Sequence, residues 1–242
     1  MKTKPPTPRH PDRTARLLDA AADLFARWGY DKTSVQDIAR EAGVSKGAVY
    51  LEFKSKDDLF RVVVYRELDR YRQEWLRRFE EDSAAWSFAR MFQYSMAAMN
   101  ANPIVKALMT RDQRVFGNFL QREPELLRTS FTARKEVFTQ LQQAGAVRDD
   151  IPPAELAYLL SIIMYGMIAG TEVIPEEHRV PFDKALAALG LLLDRGLGPA
   201  HGSANEAARP LLAAIVKKMR IAMQEEKDEE KTGSGSSSTG QG

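Results

Sequence analysis

The segment 33–56, TSVQDIAREAGVSKGAVYLEFKSK, constrains the fold of this chain more than any other. Two short stretches of helical apolar spacing flank Gly43, and glycine readily adopts the positive φ that a sharp turn needs. Ala39 is small enough for two helices to approach closely, and Val44 and Val49 are placed to fill the interior between them. The segment therefore predicts two short helices joined by a tight turn, a helix-turn-helix.

Capping residues set the expected ends of these helices. Thr33, with Gln36 three positions later, predicts a capping box at the start of the first. Ser45 is expected to cap the second. Ser55 begins S-K-D-D, in which Asp58 completes a further capping box. The helix that follows has no Pro or Gly as far as residue 79, so it would extend for roughly 36 Å.

The remaining sequence also follows helical periodicity, with no convincing alternation that would predict a strand. Proline and glycine residues divide it into segments at 84–100, 103–120, 124–144, 153–174, 181–196 and 204–227. The fold class expected from this pattern is all-α.

The outer face of the second short helix has side chains suited to DNA. Gly47 and Ala48 have small side chains, so the backbone on this face can come close to the base edges in a groove. Ala48 can also contact a thymine methyl group. Lys46 can reach a phosphate or a guanine edge. Four side chains on or near this helix are suited to phosphates: Thr33, Tyr50, Lys54 and Lys56. Residues 1–56 carry a net charge of +4 and the rest −2, a distribution that favours DNA contact at one end.

Enzyme and metal chemistry are disfavoured. The chain has no cysteine, and its three histidines are scattered, so we expect no metal or other cofactor. Residues 43–47 match G-x-S-x-G, the nucleophile elbow of α/β-hydrolases, but that motif requires a preceding strand, and helical patterns flank it here. A helix-turn-helix-like corner in an ordinary helical protein is the remaining structural alternative.

Residues 13–60 resemble the DNA-binding domain of the TetR family of bacterial repressors. The resemblance rests on F-A-R-W-G-Y, T-S-V-Q-D-I-A, A-G-V-S-K-G-A-V-Y and F-K-S-K-D-D-L-F, in that order and without a gap. It implies about nine helices, an N-terminal three-helix DNA-binding domain, a ligand-binding and dimerisation domain, and a homodimer on operator DNA. The expected DNA contacts are Thr33, Ser34, Ser45, Lys46, Gly47, Ala48, Tyr50, Lys54 and Lys56.

The composition, the helical periodicity and the resemblance together predict a domain plan. We expect a flexible basic arm at 1–10, a DNA-binding domain at 11–71 with its motif near 34–53, and a ligand-binding and dimerisation domain at 72–200. An extra helix at 201–230 and a disordered tail at 231–242 would follow.

Two further sites are expected in the C-terminal part. Residues 86–131 are rich in Met and aromatic side chains, which favours either a pocket for a lipophilic or aromatic effector or plain core packing. The expected pocket residues are Trp86, Arg90, Gln93, Tyr94, Asn100, Phe116, Asn118, Phe119 and Tyr165. By the family resemblance, the segments 153–174 and 181–196 would form the dimer interface. Its expected residues are Tyr158, Ile162, Gly166, Gly170, Leu186, Leu189 and Leu193.

The function expected from these features is a ligand-responsive transcriptional regulator, a repressor released from a pseudo-palindromic operator by a small molecule. A helix-turn-helix protein without an effector and an all-helical enzyme are the alternatives. The N-terminus lacks the apolar core of a signal peptide. The longest uncharged run, residues 156–171, is shorter than the roughly 20 residues that span a bilayer. We therefore expect a cytoplasmic protein.

Overall fold

The computed structural model describes residues 11–82 and 87–198, together with positions 210 and 214. The arm at 1–10, Trp86, the tail and most of the segment 204–227 lie outside the described residues. Within the described ranges every regular element is a helix, which confirms the all-α fold class. Eleven α-helices are present there, whereas the family resemblance implied about nine.

The elements follow one another closely along the chain. They are α1 (Pro11–Trp28), α2 (Val35–Glu41), α3 (Lys46–Glu52), α4 (Lys56–Glu81), α5 (Phe88–Asn100), α6 (Pro103–Thr110), α7 (Gln113–Phe116), α8 (Phe119–Arg122), α9 (Pro124–Gln143), α10 (Pro153–Val173) and α11 (Phe182–Leu197), with a 3₁₀ turn at Glu176–His178. The long helix expected after Ser55 is α4, of 26 residues. At its start, Ser55 Oγ accepts a hydrogen bond from the Asp58 amide.

The chain divides into two compact units that differ from the expected domain plan. Unit 1 comprises Met1–Arg70 and Met99–Pro124, and unit 2 comprises Tyr71–Ala98 and Glu125–Gly242. One boundary between the units falls between Arg70 and Tyr71. The segment that carries α6, α7 and α8, however, belongs with the N-terminal helices and not with the C-terminal part.

An aromatic cluster explains why this segment joins unit 1. Phe60 of α4 lies 4.5 Å from Phe25, 5.3 Å from Phe116 and 4.7 Å from Phe119, measured between ring centroids. Tyr30 packs on the same group, 5.1 Å from Phe60. Each such ring buries a large apolar area, so the core of unit 1 needs the aromatic residues of α7 and α8.

Gly29 allows the same segment to approach α1. Its φ is +82°, and an added Cβ would lie 1.9 Å from the carbonyl oxygen of Arg114. The next residue, Tyr30, donates its amide to the carbonyl of Val115 at 2.7 Å. Glycine is therefore required both to end α1 and to leave room for the neighbouring backbone.

A buried carboxylate on α4 connects three helices of unit 1. Glu67 accepts hydrogen bonds from Arg66 at 2.8 Å and Arg70 at 3.1 Å, both on its own helix. Asn102, which caps α6, donates to it at 2.9 Å. Arg66 and Arg70 also pair with Asp19 of α1. The buried charge of Glu67 is thus fully compensated, as a buried carboxylate requires.

Unit 2 packs α5 against several other helices. Trp75 of α4 donates its indole N–H to the carbonyl of Met91 at 3.1 Å, and the rings of Phe88 and Phe138 lie 5.5 Å apart. An added Cβ on Gly190 would come within 2.3 Å of the Gln93 amide nitrogen. Helices α5 and α11 are therefore in close contact at this glycine.

Helix α10 is unusually apolar for its exposure. The stretch Pro153–Gly170 is the one stretch of the described chain long and apolar enough to cross a membrane by length and composition alone. Only 28% of it is buried inside the protein, so α10 is not an ordinary core helix. Its exposed side chains need another explanation, which is developed under the proposed function.

Candidate nucleic-acid interface

The turn between α2 and α3 has the geometry expected from the sequence. Gly43 adopts a φ of +66°, and the Val44 amide donates to the carbonyl of Ala39 at 2.9 Å. Ser45 caps α3, since its Oγ accepts from the Ala48 amide at 3.1 Å. Ser45 therefore lies between two helices, and no strand precedes it, so the arrangement of a hydrolase nucleophile elbow is not present.

The cap of α2 differs from the expectation by one residue. Ser34, not Thr33, is the N-cap, and it forms a reciprocal capping box with Asp37. The two bonds from Ser34 lower the pKa of Asp37 below its ordinary value, and Arg40 adds to this effect. The carboxylate therefore stays ionised and compensates the positive end of the α2 helix dipole.

One face of α3 is open to solvent. Lys46, Gly47, Tyr50 and Leu51 are exposed along it, while Val49 on the opposite side is buried against the rest of unit 1. Lys54, just beyond the helix, is exposed as well. We call these five exposed residues the outer face of α3. Ala48 is half-buried at its margin.

The charge and shape of the outer face suit a groove. Lys46 forms no ion pair with any described residue, and its Nζ lies 5.9 Å from the centroid of the Tyr50 ring. An added Cβ on Gly47 would have only Ser45 Oγ within 4 Å, at 3.9 Å. The cation of Lys46 thus lies beside a helix position, Gly47, that leaves space for another molecule.

Thr33 and Lys56 do not lie on this face. Thr33 is 1% exposed and donates its hydroxyl to the carbonyl of Gly29 at 2.8 Å. Lys56 donates to the carbonyls of Tyr30 at 2.9 Å and Thr33 at 3.2 Å, and its Nζ lies 4.0 Å from the Tyr30 ring centroid. Burial lowers the pKa of Lys56 below its ordinary value. Both side chains instead donate hydrogen bonds to backbone carbonyls of the loop between α1 and α2.

Replacing Thr33 with valine is expected to destabilise the protein and leave DNA affinity unchanged. The change removes a buried hydrogen bond, which contributes about 1 kcal/mol, or a fall in Tm of about 2–4 °C for a chain of this size. Thermal unfolding and a DNA titration measure the two effects. Gln36→Ala, an exposed change on the neighbouring helix, is the control. An unchanged Tm with weakened DNA binding would return Thr33 to the set of DNA contacts.

Leu51 is the residue of the outer face that the sequence did not reveal. It is 72% exposed, although an isolated leucine beside an aromatic residue is ordinarily read as part of a core. The available signal was its position four residues after Gly47, which places both on one face of a helix.

The expected pocket residues are divided between the two units. Phe116 and Phe119 are buried in the aromatic cluster of unit 1, because their rings pack on Phe60, and they are corrected to core residues. Asn118 and Asn100 are exposed, and Tyr165 is on the exposed side of α10. In unit 2, Arg90, Gln93 and Tyr94 are half-buried. Arg90 and Tyr94 both donate hydrogen bonds to Asp82. Gln93 donates to the carbonyl of Leu186. Trp86 lies outside the described residues.

The expected dimer residues lie on both sides of their helices. Tyr158, Ile162 and Gly166 of α10 are exposed, and Gly170 and Leu189 are partly exposed. Leu186 and Leu193 are buried inside unit 2, so the structure removes them from any surface that a second subunit could reach. The exposed leucines of α11 are instead Leu191 and Leu192.

Comparison with known proteins agrees with this geometry. Residues 17–63, which run from α1 into α4, match the family model described as bacterial regulatory proteins, tetR family. The chain is 26% identical over 157 residues to the HTH-type transcriptional repressor Rv1474c of Mycobacterium tuberculosis, covering 65% of this chain and 81% of that one.

Residues 17–63 of the chain belong to the TetR family of DNA-binding domains. This membership identifies it as a DNA-binding transcriptional regulator and not an enzyme. Two solved structures share the TetR fold at low identity. FadR of Bacillus subtilis, in complex with stearoyl-CoA, has a TM-score of 0.57 at 16% identity and covers 75% of this chain and 98% of its own. AibR, in complex with isovaleryl coenzyme A and operator DNA, has a TM-score of 0.52 at 17% identity, with the same coverage.

Proposed function

We propose that this TetR-family regulator is a cytoplasmic, ligand-responsive repressor that binds a pseudo-palindromic operator as a homodimer. The observation that carries the proposal is the outer face of α3. There Lys46, which forms no ion pair with the residues that the structure describes, lies beside the exposed backbone of Gly47. The name of the Mycobacterium tuberculosis relative, a transcriptional repressor, supports the direction of regulation.

The outer face provides few groups that can distinguish bases. Helix α3 has the sequence KGAVYLE, which contains no Arg, Asn or Gln for a bidentate contact with a base edge. Lys46 can bind a guanine edge or a phosphate, while Leu51 and Ala48 can contact thymine methyl groups. Tyr50 and Lys54 are suited to phosphates, which set the register on the duplex. Specificity then depends on DNA shape and on the use of two half-sites.

Homodimer formation through α10 and α11 supplies the second half-site. On α10 the exposed apolar side chains Tyr158, Leu159, Ile162 and Tyr165 follow helical spacing, and α11 exposes Leu191 and Leu192. Apolar surface of this kind is typical of a contact between subunits. Gly166, with no atom within 4 Å of an added Cβ, leaves room for a second subunit to approach.

Effector control follows from the geometry of two half-sites. A dimer must place its recognition helices about 34–36 Å apart to enter successive major grooves. A small molecule that binds better to a subunit arrangement with a different spacing lowers DNA affinity by its differential affinity for the two states. The acyl-CoA complexes of FadR and AibR support an acyl compound as the class of effector.

Lys46→Ala is expected to weaken operator binding at least tenfold without a change in Tm, because the side chain is exposed and bears a charge that meets DNA. Tyr50→Phe, which removes one phosphate donor, should have a smaller effect. Selection from random duplex DNA first yields the operator, and fluorescence anisotropy then measures affinity. Lys135→Ala, on an exposed position of α9, is the matched control. Recovery of no enriched duplex, or equal affinity of all variants, would contradict the proposal.

A further inference from the structure

Arg134 occupies an unusual position in unit 2. It lies on α9, and in the described part of the chain its guanidinium has a single hydrogen bond, donated to Ser161 Oγ on α10. Ser161 itself lies beside the buried residues Ala157 and Leu160, and donates to the Ala157 carbonyl at 2.5 Å. The guanidinium is therefore held against the inner, apolar side of α10.

Two other arginines of low exposure form ion pairs with carboxylates. Arg13 pairs with Glu52 at 2.8 Å, and Arg66 pairs with Glu67 at 2.8 Å. Arg134 forms no ion pair with any residue in the described ranges. Arg134 is half-buried. Partial removal of a cation from water without a counter-ion is unfavourable, so another interaction that stabilises the Arg134 charge is expected.

Further polar groups of unit 2 lie near Arg134. Burial lowers the pKa of the Arg134 guanidinium, and Tyr71 partly offsets this effect, so the two side chains lie within electrostatic range. The Tyr71 hydroxyl is hydrogen-bonded to Ser95 Oγ at 2.6 Å. Unit 2 thus holds two hydrogen-bonded pairs, Arg134–Ser161 between α9 and α10 and Tyr71–Ser95 between α4 and α5. The core residues beside Ser95 on α5 include Phe92 and Met96.

We propose that Arg134, together with Ser161 and Tyr71, binds the anionic group of an amphipathic effector whose apolar chain packs on the Met and Phe side chains of unit 2. A carboxylate or a phosphate fits, because either accepts paired hydrogen bonds from a guanidinium and further ones from hydroxyl groups. A free fatty acid and an acyl-CoA both supply such a group. The assignment rests on the ligand-responsive function proposed above and adds the chemistry by which the ligand is held.

The first test needs no ligand. If the role of Arg134 is to bind the anionic group of a ligand, its charge is uncompensated in the ligand-free protein. Replacing Arg134 with methionine removes that charge and roughly preserves the volume of the side chain. Arg134→Met is therefore expected to raise the Tm of the ligand-free protein by about 2–8 °C. Arg66→Met is the matched control, and it should lower Tm because it weakens the compensation of buried Glu67. A fall in the Tm of Arg134→Met would mean that Arg134 is a structural residue, and would overturn the proposal.

The second test uses decanoate, decanoyl-CoA and the neutral methyl decanoate. At least one anionic probe is expected to bind the wild-type protein, by calorimetry, and to release operator DNA. The affinity of Arg134→Met for that anionic probe should be at least tenfold lower than that of the wild type. Any binding of the neutral methyl decanoate should be the same for both proteins. Comparing decanoate with decanoyl-CoA distinguishes a fatty acid from an acyl-CoA as the effector. Equal affinity of both proteins for the anions, or no binding of either anion, would overturn the anion site. Operator binding by the wild type would still support the regulator function in those cases.

Discussion

Gly47→Leu is expected to lower operator affinity at least 100-fold, equivalent to about 2.7 kcal/mol, while the subunit remains folded. The loss follows from the position of Gly47 on the outer face of α3, where a leucine side chain would hold the helix away from the base edges. Stability should increase by about 0.5–1 kcal/mol, because glycine is a poor helix former and the added atoms meet no protein group closer than Ser45 Oγ at 3.9 Å. Fluorescence anisotropy and thermal unfolding measure the two effects, which have opposite signs.

Two controls separate this steric effect from a general effect of an exposed leucine. Gly47→Ala should raise stability in the same way and weaken DNA binding less than leucine does. Thr132→Leu places an exposed leucine on α9 and should leave DNA affinity unchanged. If Gly47→Leu binds the operator as tightly as the wild type, α3 does not enter the groove with this face, and the proposed orientation is wrong.

The double change Leu191→Glu and Leu192→Glu is expected to convert the proposed homodimer to monomer at micromolar concentration, with a rise in its Kd for dissociation of at least about 1000-fold. The two leucines are 64% and 68% exposed in the isolated subunit, so the subunit itself should unfold at nearly the same temperature. In a two-fold symmetric contact each carboxylate would be buried against an apolar surface and would face its symmetry-related copy. Sedimentation velocity measures the oligomeric state.

Leu51→Glu provides the matched control for this second prediction. It replaces a leucine of similar exposure, 72%, on the outer face of α3 in unit 1. The expected pattern is reciprocal: Leu51→Glu remains dimeric and loses DNA affinity, whereas the α11 double variant becomes monomeric and loses DNA affinity because only one half-site is engaged. A double variant that sediments as a dimer would show that α11 does not form the interface.

The local features of the DNA-binding part could be predicted from the sequence because each depends on neighbouring residues. Gly43 at a positive φ, Ser45 as the cap of α3 and Ser55 at the start of α4 are determined by backbone conformation and hydrogen bonds within a few positions. The one local error concerned the cap of α2. Thr33 and Ser34 are adjacent and chemically similar, and the sequence could not show which hydroxyl was needed elsewhere.

The errors in the C-terminal part concern which side of a helix faces the interior. Phe116 and Phe119 were expected in a ligand pocket, but their rings complete the core around Phe60 of unit 1. Leu186 and Leu193 were expected at a subunit surface, but they face the interior of unit 2. A helix that is apolar on most of its circumference has no polar stripe from which its orientation can be read.

By itself, the sequence determined the all-α fold class, the helix-turn-helix, the family and the cationic Lys46 beside a glycine. The tertiary structure alone decided that Thr33 and Lys56 hydrogen-bond to the loop between α1 and α2 and that Leu51 is exposed. It also decided that Arg134 is half-buried and bonds Ser161, without a carboxylate partner among the described residues. The physical reason is the range of the interactions. Turns and caps are formed by residues a few positions apart, whereas burial and charge compensation depend on side chains brought together from distant parts of the chain.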